Sequence, residues 1–133
     1  MRFHPLKELQ SLHDQYSNHV KRNLPTDKAV WIFGTGKFGQ DLSKALQNEG
    51  YSVAGFVQTQ PSTTVLLDLP VLAWPQWSTT HAAEPLCIGI FNRGMPLDEL
   101  ETLARQAGAQ NIYQPWDVYR LLEPWLGWRF WLS

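Results

Sequence analysis

A chain of 133 residues, 44% hydrophobic and 17% charged, is long enough for one domain with a single sizeable core. Its formal net charge of -1, with Lys and Arg scattered, shows neither the footprint of a nucleic-acid binder nor a polybasic membrane patch, so neither partner is expected. The single cysteine, Cys87, excludes an internal disulfide framework and a cysteine-rich zinc site, and it fits a reducing, cytoplasmic setting. No run approaches the roughly 18 apolar residues that span a bilayer. The opening "MRFHPLKELQ" lacks the apolar core of a signal peptide.

Along the chain, Leu6, Leu9, Leu12, Tyr16 and Val20 mark one face of a helix over 6–22, which Pro25 ends. This reads as an appendage, residues 1–25, packed on the main fold. Residues 29–33 form a continuous apolar run, the pattern of a strand buried on both faces. After a glycine-spaced turn, Phe38, Leu42, Ala45 and Leu46 form the stripe of a second helix, with Gly50 as its stop.

Residues 51–57 read as a second strand, "TQPSTT" as loop, 69–73 as a short third strand and "WPQW" as a turn or short helix. Residues 85–91 read as a fourth strand, followed by the loop "NRGMP". A helix over 97–107 places Leu97, Leu100, Leu103, Ala104 and Ala107 on one face and stops at Gly108, and 110–114 is a brief last strand. Strands alternating with helices predict an α/β, Rossmann-like parallel sheet of about five strands, in the order 3-2-1-4-5, over residues 26–115.

The turn "GTGKFG", Gly34 to Gly39, matches G-x-G-x-x-G with a strand before it and a helix after it. In that pattern Gly34 makes the tight turn, Gly36 lets a phosphate approach the backbone, and Gly39 allows close packing of helix on strand. A phosphate is expected on the amides of Thr35, Gly36, Lys37, Phe38 and Gly39, where the helix start offers unpaired N–H groups. Lys37 adds a charge, or is simply solvated. The alternative is that the turn persists for packing alone and holds nothing. The P-loop ending is missing, Ile32 stands where a methyltransferase first motif has its acid, and no serine makes a nucleophile elbow.

In NAD-binding sites an acid stands about 20 residues past the turn and accepts hydrogen bonds from the ribose. Here Gln58 occupies that position, and no arginine follows to favour a 2′-phosphate. Gln58 therefore argues against ordinary NAD or NADP chemistry, although it equally reads as a strand end at the surface. Asn92 and Arg93, in the loop after the fourth strand, are placed to contact a phosphate or sugar, or to form a solvated turn. The four histidines show no metal-ligand spacing, and no positioned acid–base pair is evident.

The stretches "VWIFGTGKFGQDLSKALQNEGYSVAGFVQ", "LDLPVLAW", "CIGIFNRG" and "LGWRFWLS" resemble the domain that precedes the catalytic unit in FkbM-type methyltransferases. The resemblance covers residues 28–132, and the closing "PWDVY…LGWRFWLS" is its more specific part. Related Rossmann modules stand at the N-terminus of bacterial sugar acyltransferases, where they bind a nucleotide-sugar over the same turn. The resemblance therefore implies a UDP-sugar as ligand candidate beside NAD(P), and a methyltransferase domain as partner. Two departures are Gln58, where members often carry Asp, and Leu69, where they have glycine. The S-adenosylmethionine domain is not among these 133 residues, so methyl transfer is not expected from this chain alone.

Of the seven tryptophans, Trp116, Trp125, Trp128 and Trp131 fall in residues 116–133. With Leu122 and Phe130 they make more apolar area than a sheet edge covers. This tail is expected to pack on a following domain or on a second copy, a homo-oligomer; the alternative is that it folds back as core.

Overall fold

The computed structural model describes residues 24–90 and 97–114. The expected helix over 6–22, the loop residues Asn92 and Arg93, and the tail from Trp116 lie outside the described residues.

The apolar run becomes β1, Val30–Phe33, and every residue of it is buried. Side chains alternate across a strand, so β1 feeds two cores. Val30 and Ile32 pack with Phe38, Leu42 and Leu46 of α1, Lys37–Asn48. Trp31 and Phe33 pack on the opposite face with Trp74 and Trp77 of α2, Trp74–His81, and with Leu100 and Ala104 of α3, Leu97–Gln106. The remaining strands are β2 (Val53–Gln58), β3 (Val65–Leu66), β4 (Leu69–Ala73), β5 (Leu86–Ile88) and β6 (Ile112–Tyr113).

The sheet has six strands in the order β3-β4-β2-β1-β5-β6, and all neighbours are parallel except the β3–β4 pair. This differs from the expected five-stranded order by the short antiparallel β3 at the edge. The connection between β3 and β4 is two residues, Leu67 and Asp68, at φ 53 and 63. Positive φ at both centres is what a type I′ hairpin demands, and Asn-Gly usually supplies it. Here a leucine supplies it, so the sequence carries no hairpin signal. In this register Val65 faces Pro70, which has no N–H, and the Thr63 hydroxyl takes up the outer main-chain groups of Val65. It donates to the Val65 carbonyl at 3.0 Å and accepts from the Val65 N–H at 3.4 Å.

The expected turn or short helix at "WPQW" is the eight-residue helix α2. Pro75 suits a first helical turn, and the Gln76 side chain accepts from the Ala73 N–H at 3.1 Å. Beyond its C-terminus, Glu84 accepts from the Trp31 indole N–H at 2.9 Å and pairs with His81 Nδ1 at 2.7 Å. The Trp31 and His81 rings lie 4.8 Å apart. This cluster ties the end of α2 to the central strand.

Two predictions follow from this packing. Burial by itself would push the Glu84 carboxyl up. The hydrogen bonds from His81 and Trp31, with the charge of His81, outweigh it and hold the group below the usual carboxylate range. Glu84 therefore contributes stability above the carboxyl's unfolded pKa, and that contribution is lost as pH falls through the lowered folded value. Thermal melts across the acid range should show Glu84→Gln losing less stability on acidification than wild type. Leu67 is 41% exposed, so Asn there loses only part of a leucine's burial, while the left-handed backbone costs a leucine about 1 kcal/mol. Leu67→Asn should raise the melting temperature by a few degrees, about 4–8 °C per kcal/mol for a domain of this size.

Candidate nucleotide site

Parallel sheets open a crevice at the carboxyl ends of their strands, where a strand order reverses. Here the reversal falls at β1, between β2 and β5, and the glycine turn leaves β1 at that point. The Gly34 N–H still bonds the Val57 carbonyl at 3.0 Å, and the Gly89 N–H bonds the Phe33 carbonyl at 2.8 Å, so three strand ends hold the turn.

The glycines divide by what surrounds them. Gly34 has φ +123, and a Cβ there would lie 2.6 Å from Ile90 Cγ1 and 2.8 Å from the Gly89 carbonyl oxygen. A Cβ on Gly39 would collide with the Gly34 carbonyl oxygen and stand 3.1 Å from that of Gly89. Gly89, at the end of β5, lies so near the others that its own Cβ would meet Ile32 and stand 3.3 Å from the Gly39 Cα. The three glycines are a packing node of main chain on main chain. The sequence singles out Gly34 and Gly39 but not Gly89, which reads as one more residue of an apolar strand.

Gly36 is different. Nothing lies within 4 Å of where its Cβ would stand, and its φ of -78 with ψ of -170 is an extended backbone open to any residue. It is the N-cap of α1, where Ser, Asp or Asn would give the helix a side-chain hydrogen bond; that bond is missing, and no acid stands in the first turn. Neither packing nor backbone conformation requires glycine here.

Around this open position, Gln40 donates to the Thr35 carbonyl at 2.9 Å and steadies the turn. Phe38 turns its ring into the core. Lys37 reaches back along α1, and its Nζ donates to both carboxylate oxygens of Asp41 at 2.8 and 2.7 Å. The lysine side chain is 66% exposed and the aspartate 10%.

Gln58 ends β2 beside Ala73 of β4. Strand alternation puts it on the face of Phe56, which is the α1 face. Its Oε1 is buried and has no hydrogen-bond partner. The next residue, Thr59, accepts from the Trp74 indole N–H at 3.3 Å, and Trp74 stands edge-on to Phe33 at 4.7 Å. The structure thus gathers Gly34 to Gly39 at one turn and sets Gln58 at the end of the adjacent strand. Asn92 and Arg93 lie outside the described residues. Asp41 and Thr59 are additions: in the sequence Asp41 reads as an ordinary polar helix residue and Thr59 as loop.

Among the described residues no three His, Cys, Asp or Glu side chains group to hold a metal, and no helix is long and apolar enough to cross a membrane.

No protein-family model and no curated protein matches the chain. Among solved structures it is similar to a histidine-to-asparagine mutant of perosamine N-acetyltransferase from Caulobacter crescentus, in complex with CoA and GDP-perosamine. The identity is 25% and the TM-score 0.50, over 61% of this chain and 39% of that one. A histidine-to-alanine mutant of GDP-perosamine N-acetyltransferase from the same organism, with the same ligands, is 27% identical at a TM-score of 0.48 over the same shares. The chain therefore corresponds to well under half the length of these acetyltransferases.

The two kinds of glycine give opposite expectations for stability. Gly39→Ala should cost about 1–3 kcal/mol in denaturant unfolding, because backbone on two sides must move. Gly36→Asp should be neutral or stabilising by up to about 1 kcal/mol, since Asp there can cap α1.

Proposed function

We propose that the chain is a cytoplasmic nucleotide-sugar-binding module, not catalytic by itself, that serves a sugar- or metabolite-modifying partner domain. The ligand's diphosphate lies on the main-chain N–H groups that open α1, over Gly36. The observation that carries this reading is Gly36: a glycine that the fold does not need, at the start of a helix with no side-chain cap. A phosphate oxygen approaching those N–H groups would occupy the space a side chain there would fill, and it would find the positive end of the helix dipole.

A further observation supports a nucleoside on the phosphate's β2 side. Gln58 Oε1 is a buried acceptor without a donor, an expensive state that a ribose hydroxyl would relieve. Gln58 is neutral and lacks the charge-assisted grip on ribose hydroxyls of an NAD site, which argues against ordinary NAD or NADP chemistry. The acetyltransferase to which the chain is similar was crystallised with GDP-perosamine, and this likeness supports a nucleotide-sugar, GDP- or UDP-linked.

The partner domain follows from the chemistry of such a ligand. A module that holds a nucleotide-sugar presents its sugar hydroxyl or amine for transfer of a small group. The sequence resemblance to FkbM-type proteins supports a methyl-transferring partner reached through the Trp-rich tail. The similarity to an N-acetyltransferase favours the second reading, an acyl-transferring partner.

A thermal-shift panel of GDP- and UDP-sugars, NAD, NADP and S-adenosylmethionine tests this reading. A nucleotide-sugar at 100 times its dissociation constant should add about 2.7 kcal/mol of stability. Gly36→Asp should keep its fold and lose that shift, because its carboxylate occupies and repels the phosphate position. No shift with any compound would leave the turn a packing device; a shift with NAD alone would replace the ligand class.

A further inference from the structure

Resting on that nucleotide reading, we infer that Lys37 is exchanged between Asp41 and the ligand's phosphates, so that Asp41 sets the affinity of the site. The starting point is a conflict between Lys37 and its own helix. Lys37 is the first residue of α1, where the helix dipole disfavours a cation. The pair Lys37–Asp41 also runs in the poorer orientation, with the cation N-terminal to the anion. Dipole and pair orientation do not favour a lysine at this position, whereas an anion at the helix mouth would.

That lysine is engaged one turn further along the helix, by both oxygens of Asp41. The two partners are unequal. Lys37 is two-thirds exposed and free to move, while the Asp41 side chain is nine-tenths buried and stays where it is. A diphosphate over Gly36 competes with the carboxylate for one ammonium group. When Lys37 moves to the phosphate, a nearly buried carboxylate loses a charged partner and faces a new anion about one helical turn away. Both effects weaken ligand binding, and both originate in Asp41. Asp41 thus acts as a positioning residue and a brake. It keeps the site charge-compensated when empty and makes ligand release easier than the helix mouth and lysine alone would allow.

Calorimetric titration with GDP and with UDP of wild type, Lys37→Met and Asp41→Asn tests the exchange, with a thermal melt of each to record stability. Lys37→Met should bind the better nucleotide about tenfold more weakly, and Asp41→Asn about tenfold more tightly, opposite in sign although both break the same ion pair. Should Asp41→Asn fail to fold, Lys37→Met remains decisive, since unchanged affinity there overturns the exchange. If both variants weaken binding together, the pair is structural and the exchange is overturned while the nucleotide reading stands. If wild type binds neither nucleotide nor any nucleotide-sugar, the nucleotide reading falls, and the exchange falls with it.

Discussion

The contact of three glycine backbones, Gly34 leaving β1, Gly39 in the first turn of α1 and Gly89 leaving β5, is the constraint on which the rest depends. It brings helix and strands closer than any side chain would permit. From that approach follow the seating of Phe38 and Leu42 on one face of the sheet and the aim of the helix start at the crevice. A methyl group at Gly39 would push α1 away from the turn, and one at Gly34 or Gly89 would wedge the ends of β1 and β5 apart, so the site would lose its geometry before it lost any chemical group.

Within this node the roles of neighbouring residues separate cleanly. Gly34 and Gly39 answer to packing, and Gly36, between them, does not. Lys37 is poorly placed for the helix and well placed for an anion, and Gln58 keeps a buried acceptor without a donor. These are small departures from what stability alone selects, each worth roughly 1 kcal/mol or a little more. All three lie at the carboxyl end of the sheet, around the turn that leaves β1.

Much of this architecture is legible in the sequence because its signals are local and periodic. The run "AVWIF" announces a strand buried on both faces, and the stripe of Phe38, Leu42, Ala45 and Leu46 announces α1. Gly50 and Gly108 have positive φ just past α1 and α3. What escapes is whatever depends on a distant neighbour. β3 is two residues long and joined by Leu67 and Asp68, whose composition says nothing of a hairpin. Gly89 looks like a dispensable strand residue until the approach of Gly39 is seen. Asp41 looks solvated, since four residues of spacing from Lys37 suggest a surface pair, but the carboxylate is buried. Phe38 belongs both to the apolar stripe and to the glycine motif, and the fold assigns its ring to the core.

The edge at β3 has a consequence for assembly. Edge strands invite main-chain pairing with other chains, and proteins that stay discrete blunt them. Here one hydroxyl, that of Thr63, already engages the N–H and C=O that Val65 turns outward. On that side the sheet terminates itself: a neighbouring chain finds the apolar side chains of Val65 and Leu67 but no open ladder to extend. Recognition across this edge is therefore a matter of side-chain fit, and growth of the sheet from molecule to molecule is suppressed at the level of a single threonine.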